Sequence, residues 1–193
     1  MNTPSHVIIN LFVLGKEESS QFYAPIIIGS ILPDIALFYF YFWAKAIAKI
    51  PDNKIWSEVY FTDFWQDIFA IPNSIVLCLI GVAICHFYQL EWLKIMFISM
   101  ILHCLCDLPV HHDDAHRHFV PLSNYRFVSP VSYWDIRHHA QWVGLVEFGL
   151  VSFSSFYLFN IINVWWGKGL ILVNSIVYCL LYLFFYLRYF KFI

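Results

Sequence analysis

The chain has 193 residues, of which 61% are hydrophobic and 12% charged; soluble domains run at roughly 45–50% apolar and about 25% charged. That excess excludes an ordinary water-soluble domain and points to an integral membrane protein built as a single domain over residues 1–193. A net charge of -2 with no basic run argues against a nucleic-acid partner and leaves the lipid bilayer as the expected one.

A membrane-crossing helix needs about 20 mostly apolar residues. The first apolar stretch, Ser5–Gly15, is short for that and predicts a tilted short span or a re-entrant helix. Thr3 or Ser5 would cap it, with Pro4 in its first turn. Tyr23–Lys45 is apolar except for Asp34, which follows Pro33 in GSILPDIALF. The segment near residues 50–71 mixes four acidic residues and one lysine with many aromatics, and predicts an amphipathic helix at the membrane interface. Four further stretches are long enough to cross: Pro72–Tyr88, Trp92–Val110, His138–Trp166 and Gly169–Leu187. Tryptophans 43, 92, 142, 165 and 166 fall where interfaces should be. The expected fold is therefore all-α: a polytopic transmembrane bundle of about five to six helices with one long polar loop at 110–137. The five cysteines all lie in apolar runs and are read as reduced small hydrophobes.

Lysine and arginine set the orientation. With six spans, one side holds Lys45, Lys49, Lys54, Arg117, Arg126, Arg137, Arg188 and Lys191, and the other holds Lys16, Lys94 and Lys168. Eight against three places the first side, and with it the long loop, in the cytoplasm.

The polar residues gather in that loop and its flanks. Seven of nine histidines lie between His103 and His139, together with Asp107, Asp113, Asp114 and Asp135. Histidine with carboxylate is a ligand set for zinc, iron or manganese. His103 and Asp107 form H-x-x-x-D, so on a helix they share a face. They could hold one metal together, Asp107 could fix the histidine tautomer, or the pair could tie helices by a hydrogen bond. The run HHDDAHRH offers His111, His112, His116 and His118 as ligands, or is a solvated loop. His139 opens the next helix, and Glu147 lies roughly 12 Å deeper by a 1.5 Å rise per residue. Glu147 is a candidate general acid or base, or a neutral acid packed between helices. Asp34 either caps a helix restarted after Pro33 or faces the cluster. Arg126 could bind a phosphate or carboxylate of a substrate, or pair with Asp113, Asp114 or Asp135. His86 has no polar neighbour in sequence and reads as interfacial.

Several short motifs together resemble a known family. They are Ser5-His6, Leu32-Pro33-Asp34, His103 to Asp107, Pro121-Leu122 and Arg126-Phe127, spread over about residues 3–130. The set resembles the bacterial predicted membrane-bound metal-dependent hydrolases, distantly similar to zinc-dependent phospholipase C. The resemblance implies an inner-membrane helical protein with a zinc site whose ligands are His6, Asp34, His103 and Asp107. One departure stands out. Where family members carry His-Arg…Thr-His-Ser, this chain reads Ala70-Ile71-Pro72-Asn73-Ser74, with Asn73 in the place of a histidine.

The leading expectation is a hydrolase that uses a divalent metal, zinc in the first place, on a lipid or phosphate ester, with Glu147 or Asp114 as base. The alternatives are a metal or proton transporter, and a structural or regulatory protein stapled by its metal. A transporter needs polar groups along its whole path. The half of the bundle away from the cluster offers few beyond Asn160, Asn163 and Asn174.

Overall fold

Long runs of Ile, Leu, Val and Phe form helices here, an element that satisfies its backbone hydrogen bonds within itself. The structure, a computed structural model, describes residues 1–15 and 17–190, and no strand occurs among them. Lys16 and Lys191, two of the residues used above to orient the chain, lie outside the described residues.

The helices are α1 (Thr3–Leu14), α2 (Tyr23–Phe42), α3 (Asp52–Lys54), α4 (Asp63–Ala70), α5 (Ile75–Phe87), α6 (Glu91–Asp107), α7 (Ala140–Ile161) and α8 (Trp165–Phe190). Four stretches are long and apolar enough to cross a membrane: Ser20–Ile47, Asp63–Phe87, Ala140–Ile161 and Trp165–Phe184. The third of these spans α7, and the second joins α4 and α5 across a turn at 71–74. Helix α6 has 17 residues and α1 has 12, so both fall below the length used for a crossing. Asn2, not Thr3 or Ser5, stands at the N-cap position of α1 and makes no capping side-chain hydrogen bond there, with Pro4 in the first turn as expected.

Helix α2 runs unbroken through Pro33. It packs very closely on α6, because Gly29 has no side chain: a Cβ there would stand 2.2 Å from the Met96 carbonyl oxygen. The same crossing carries a buried polar clasp. Asn10 of α1 donates to the Ser99 carbonyl and hydroxyl at 2.8 Å each, and the Ser99 hydroxyl donates to the Ile26 carbonyl at 2.7 Å. Apolar packing then gathers α1, α2, α7 and α8 around Ile8, Leu11, Ile26, Val151, Leu158 and Ile171.

The stretch 50–71 is not one helix. It breaks into α3, a π turn at Ile55–Val59 and α4, and folds back on the end of α2. Its aromatics surround Phe40, with Trp65 at 5.0 Å and Phe69 at 5.5 Å between ring centroids, both edge-on. Residues 108–135 form no helix. They cover the end of the bundle where α6 finishes and α7 begins, held by Arg117 paired with Asp67 and by Arg126. No disulfide forms; all five cysteines are free.

Candidate metal centre

Helix α6 carries His103 and Asp107 one turn apart, both buried, to its last turn. Helix α1 brings His6, also fully buried, against the same carboxylate. The loop after α6 returns His111 to it, and His116 follows. Asp107 thus becomes a hub. Its Oδ1 lies 3.0 Å from His6 Nε2 and 3.2 Å from His111 Nε2, and its Oδ2 lies 3.1 Å from His103 Nε2. The Met1 amine donates to Oδ1 at 2.5 Å. Asp34 of α2 approaches His103 Nε2 at 3.6 Å and accepts a hydrogen bond from the Thr3 hydroxyl. It therefore faces the cluster and caps no helix, since α2 continues past it.

Tautomers sharpen the arrangement. His103 Nδ1 lies 2.8 Å from the Ser30 carbonyl, which can only accept, so Nδ1 carries the proton. In a neutral ring Nε2 is then a bare lone pair, buried without a donor and aimed at Asp107 and Asp34. A lone pair facing two carboxylates demands a cation between them, either a proton or a metal. His6 and His103 stack at 3.6 Å between ring centroids, so a charge on one ring disfavours a charge on the other. His6 Nδ1 is likewise buried without a partner. His111 differs: its Nδ1 lies 2.9 Å from Asp114 Oδ2, while its Nε2 faces both Asp107 at 3.2 Å and the Met1 amine at 3.1 Å. Two groups have ligand atoms close enough to share an ion, His6–His103–Asp107 and Asp107–His111–His116, and Asp107 belongs to both. Histidine nitrogens with a carboxylate are a donor set that could hold a metal ion.

Electrostatics on the loop follow from burial and neighbours. Burial and the Met1 amine oppose a charge on His111, but Asp107 and Asp114 outweigh them and push it up to about 9. Burial, then the charge of His111, pushes His116 down to about 3, so it is neutral and ready to ligate. Burial works against ionisation of Asp114, yet His111 beside it holds the carboxyl below its ordinary value.

A cavity of about 190 Å³ adjoins the cluster. Thr3, Asp34, Tyr60, His111, Asp114 and His116 are among its walls. Open space thus borders the residues that could hold an ion.

The remaining expected residues are placed elsewhere. His118 is buried and its Nδ1 donates to the Asn73 carbonyl at 2.8 Å. His112 donates to the Ser129 carbonyl at 2.6 Å and stacks on His138 at 3.6 Å. His139 is exposed in left-handed backbone at the start of α7. None of these is in either candidate ion group. Arg126 spans Gln66 and the Ala115 carbonyl at 2.8 Å each, and forms no ion pair with Asp113, Asp114 or Asp135 among the described residues. Glu147 is buried, and its Oε1 accepts from the Asn2 backbone and side-chain amides at 2.9 and 3.1 Å, anchoring the start of α1. Asn73 donates to the Phe69 carbonyl at 2.9 Å and clamps the turn before α5.

Ser30 and Tyr133 join the site without having been singled out in the sequence, and Thr3 joins it as a donor to Asp34, although the sequence offered it only as a helix cap. Thr3 alone carried a signal, one turn before His6 on the same short helix; a backbone carbonyl such as that of Ser30 carries none. No protein-family model matches the chain, and neither the curated proteins nor the solved structures include a significant match.

Proposed function

We propose that this chain is a metal-dependent hydrolase of the bacterial cytoplasmic membrane, acting on a lipid or phosphate ester. One observation carries the reading. The ring nitrogens of His6, His103 and His111 converge on the single buried carboxylate of Asp107, beside an open cavity. The resemblance of the short motifs to predicted membrane hydrolases points the same way.

In this reading His6, His103 and Asp107 hold the ion, with Asp34, His111 and His116 completing its surroundings. A divalent ion of this kind supplies Lewis acidity and makes water acidic near neutral pH. The Ser30 carbonyl keeps the proton of His103 on Nδ1 and so directs its Nε2 inward, and Asp114 lies 2.9 Å from His111 Nδ1 on the loop side. Asp114 lines the cavity and Glu147 does not, which makes Asp114 the better placed of the two candidate bases. Glu147 acts at a distance, through the start of α1 and hence through His6. The crossing helices, with α6 as a further span, keep the centre at one end of the bundle. That end carries Lys45, Arg117, Arg126 and Arg137, the side the positive-inside rule assigns to the cytoplasm.

The test is metal content and hydrolysis in purified protein. Wild type should retain close to stoichiometric zinc by elemental analysis and cleave at least one member of a phosphoester and lipid-ester panel. His103→Ala should lose both. A wild-type protein that binds no divalent metal ends this reading; one that binds zinc but cleaves nothing leaves a metal-stapled structural protein.

A further inference from the structure

A second, larger cavity of about 350 Å³ opens beside the metal-facing one. Its volume lies within the usual range for a small-molecule site. Trp56, Tyr60, Tyr133 and Trp134 give it aromatic walls, and Asp113 and Asp114 supply two carboxylates. No lysine or arginine lines it. Asp113 has no ion-pair partner among the described residues, although every other carboxylate of the loop has one. Tyr60 is fixed in place by edge-on contacts with Phe40 and Phe61, and Trp56 lies 5.9 Å from Tyr60 between centroids.

Aromatic faces attract cations through their quadrupole, and a neighbouring carboxylate adds direct charge. A neutral guest would gain from the rings alone, whereas a cation also gains from the two carboxylates. An anion would be repelled by both carboxylates. We infer that this cavity is a binding site for an organic ammonium group. Tyr60, Asp114 and Tyr133 line both cavities, so the aromatic one adjoins the one bordered by His111 and His116. As a statement about substrate this rests on the hydrolase reading, and it names an ester with a cationic head; the binding itself does not depend on turnover.

The probe is choline, set against its neutral isostere 3,3-dimethylbutan-1-ol. Binding to the full chain, purified in a maltoside detergent, is followed by tryptophan fluorescence and by calorimetry. Choline should bind saturably and at least about tenfold more tightly than the isostere. Asp113→Asn and Trp56→Leu should each weaken choline at least about fivefold, with helical circular dichroism and bound metal unchanged. Asp113 is exposed, so its variant keeps the fold even if Trp56→Leu does not. Equal affinity for the isostere, undiminished binding in Asp113→Asn, or no saturable choline binding overturns the inference. Choline binding by protein that holds no metal upholds the inference while ending the hydrolase reading, so the two fail separately.

Discussion

Two groups of histidines share the same stretch of chain and behave differently. His103, His111 and His116 turn towards Asp107, whereas His112, His138 and His139 stay at the rim, two of them stacked on each other. Composition is the same in both groups. The difference lies in what holds the far ring nitrogen. His103 and His111 each place Nδ1 against an acceptor and present Nε2 to a buried carboxylate. His112 also places Nδ1 on a carbonyl, that of Ser129, but no carboxylate ion-pairs with its ring. A dense run of histidines is thus a weak guide to ligands; a shared buried carboxylate is a strong one.

The largest effect that would break this contrast is at the hub. Asp107→Asn should reduce metal affinity at least about a hundredfold, because it removes the only charge common to both candidate groups. Elemental analysis after gel filtration checks it, and full retention of metal would dissolve the distinction between inner and outer histidines. Next comes Asp114→Asn, expected to weaken metal binding by about tenfold, since it loosens His111 without removing a ring from the cluster. A competition titration with a chromophoric chelator measures it.

Acidity offers a third probe. In the metal-free protein His111 holds its proton up to about pH 9, and a ligating ring must lose it. Affinity should therefore rise with pH through the neutral range, by up to about tenfold per unit from this one group, and level off above 9. Proton release on adding zinc in weakly buffered solution reports the same event; no release at pH 7 would remove His111 from the ion's surroundings. The smallest effect belongs to the rim. His139→Ala should leave metal content unchanged and shift stability by no more than about 0.5 kcal/mol, as for other exposed positions.

Much of this was legible beforehand, for a physical reason in each case. Long apolar helices announce themselves because lipid tolerates only long apolar runs, so α2, α5 and α7 fall within the stretches read from sequence, while α8 (Trp165–Phe190) overruns its stretch, Gly169–Leu187, at both ends. The pairing of His103 with Asp107 is local, set by helix periodicity. The segment 50–71 misled because its aromatic pattern fits an interface and also fits the end of α2, and only packing distinguishes the two. Arg126 and Asn73 could not be placed because their partners, Gln66 and the Phe69 and Ala115 carbonyls, are ordinary positions in sequence.

The sequence alone thus determined the solvent this chain is built for and the end of the bundle where its polar chemistry collects, since both follow from composition and spacing along one helix. The tertiary structure decided which histidines count. Helix α1 is too short to cross, yet the clasp of Asn10 on Ser99 seats it against α6 and brings His6 to Asp107 across 101 residues of chain. No local pattern encodes that approach. It arises where Gly29 lets α2 and α6 close together and leaves room for one buried carboxylate among three rings.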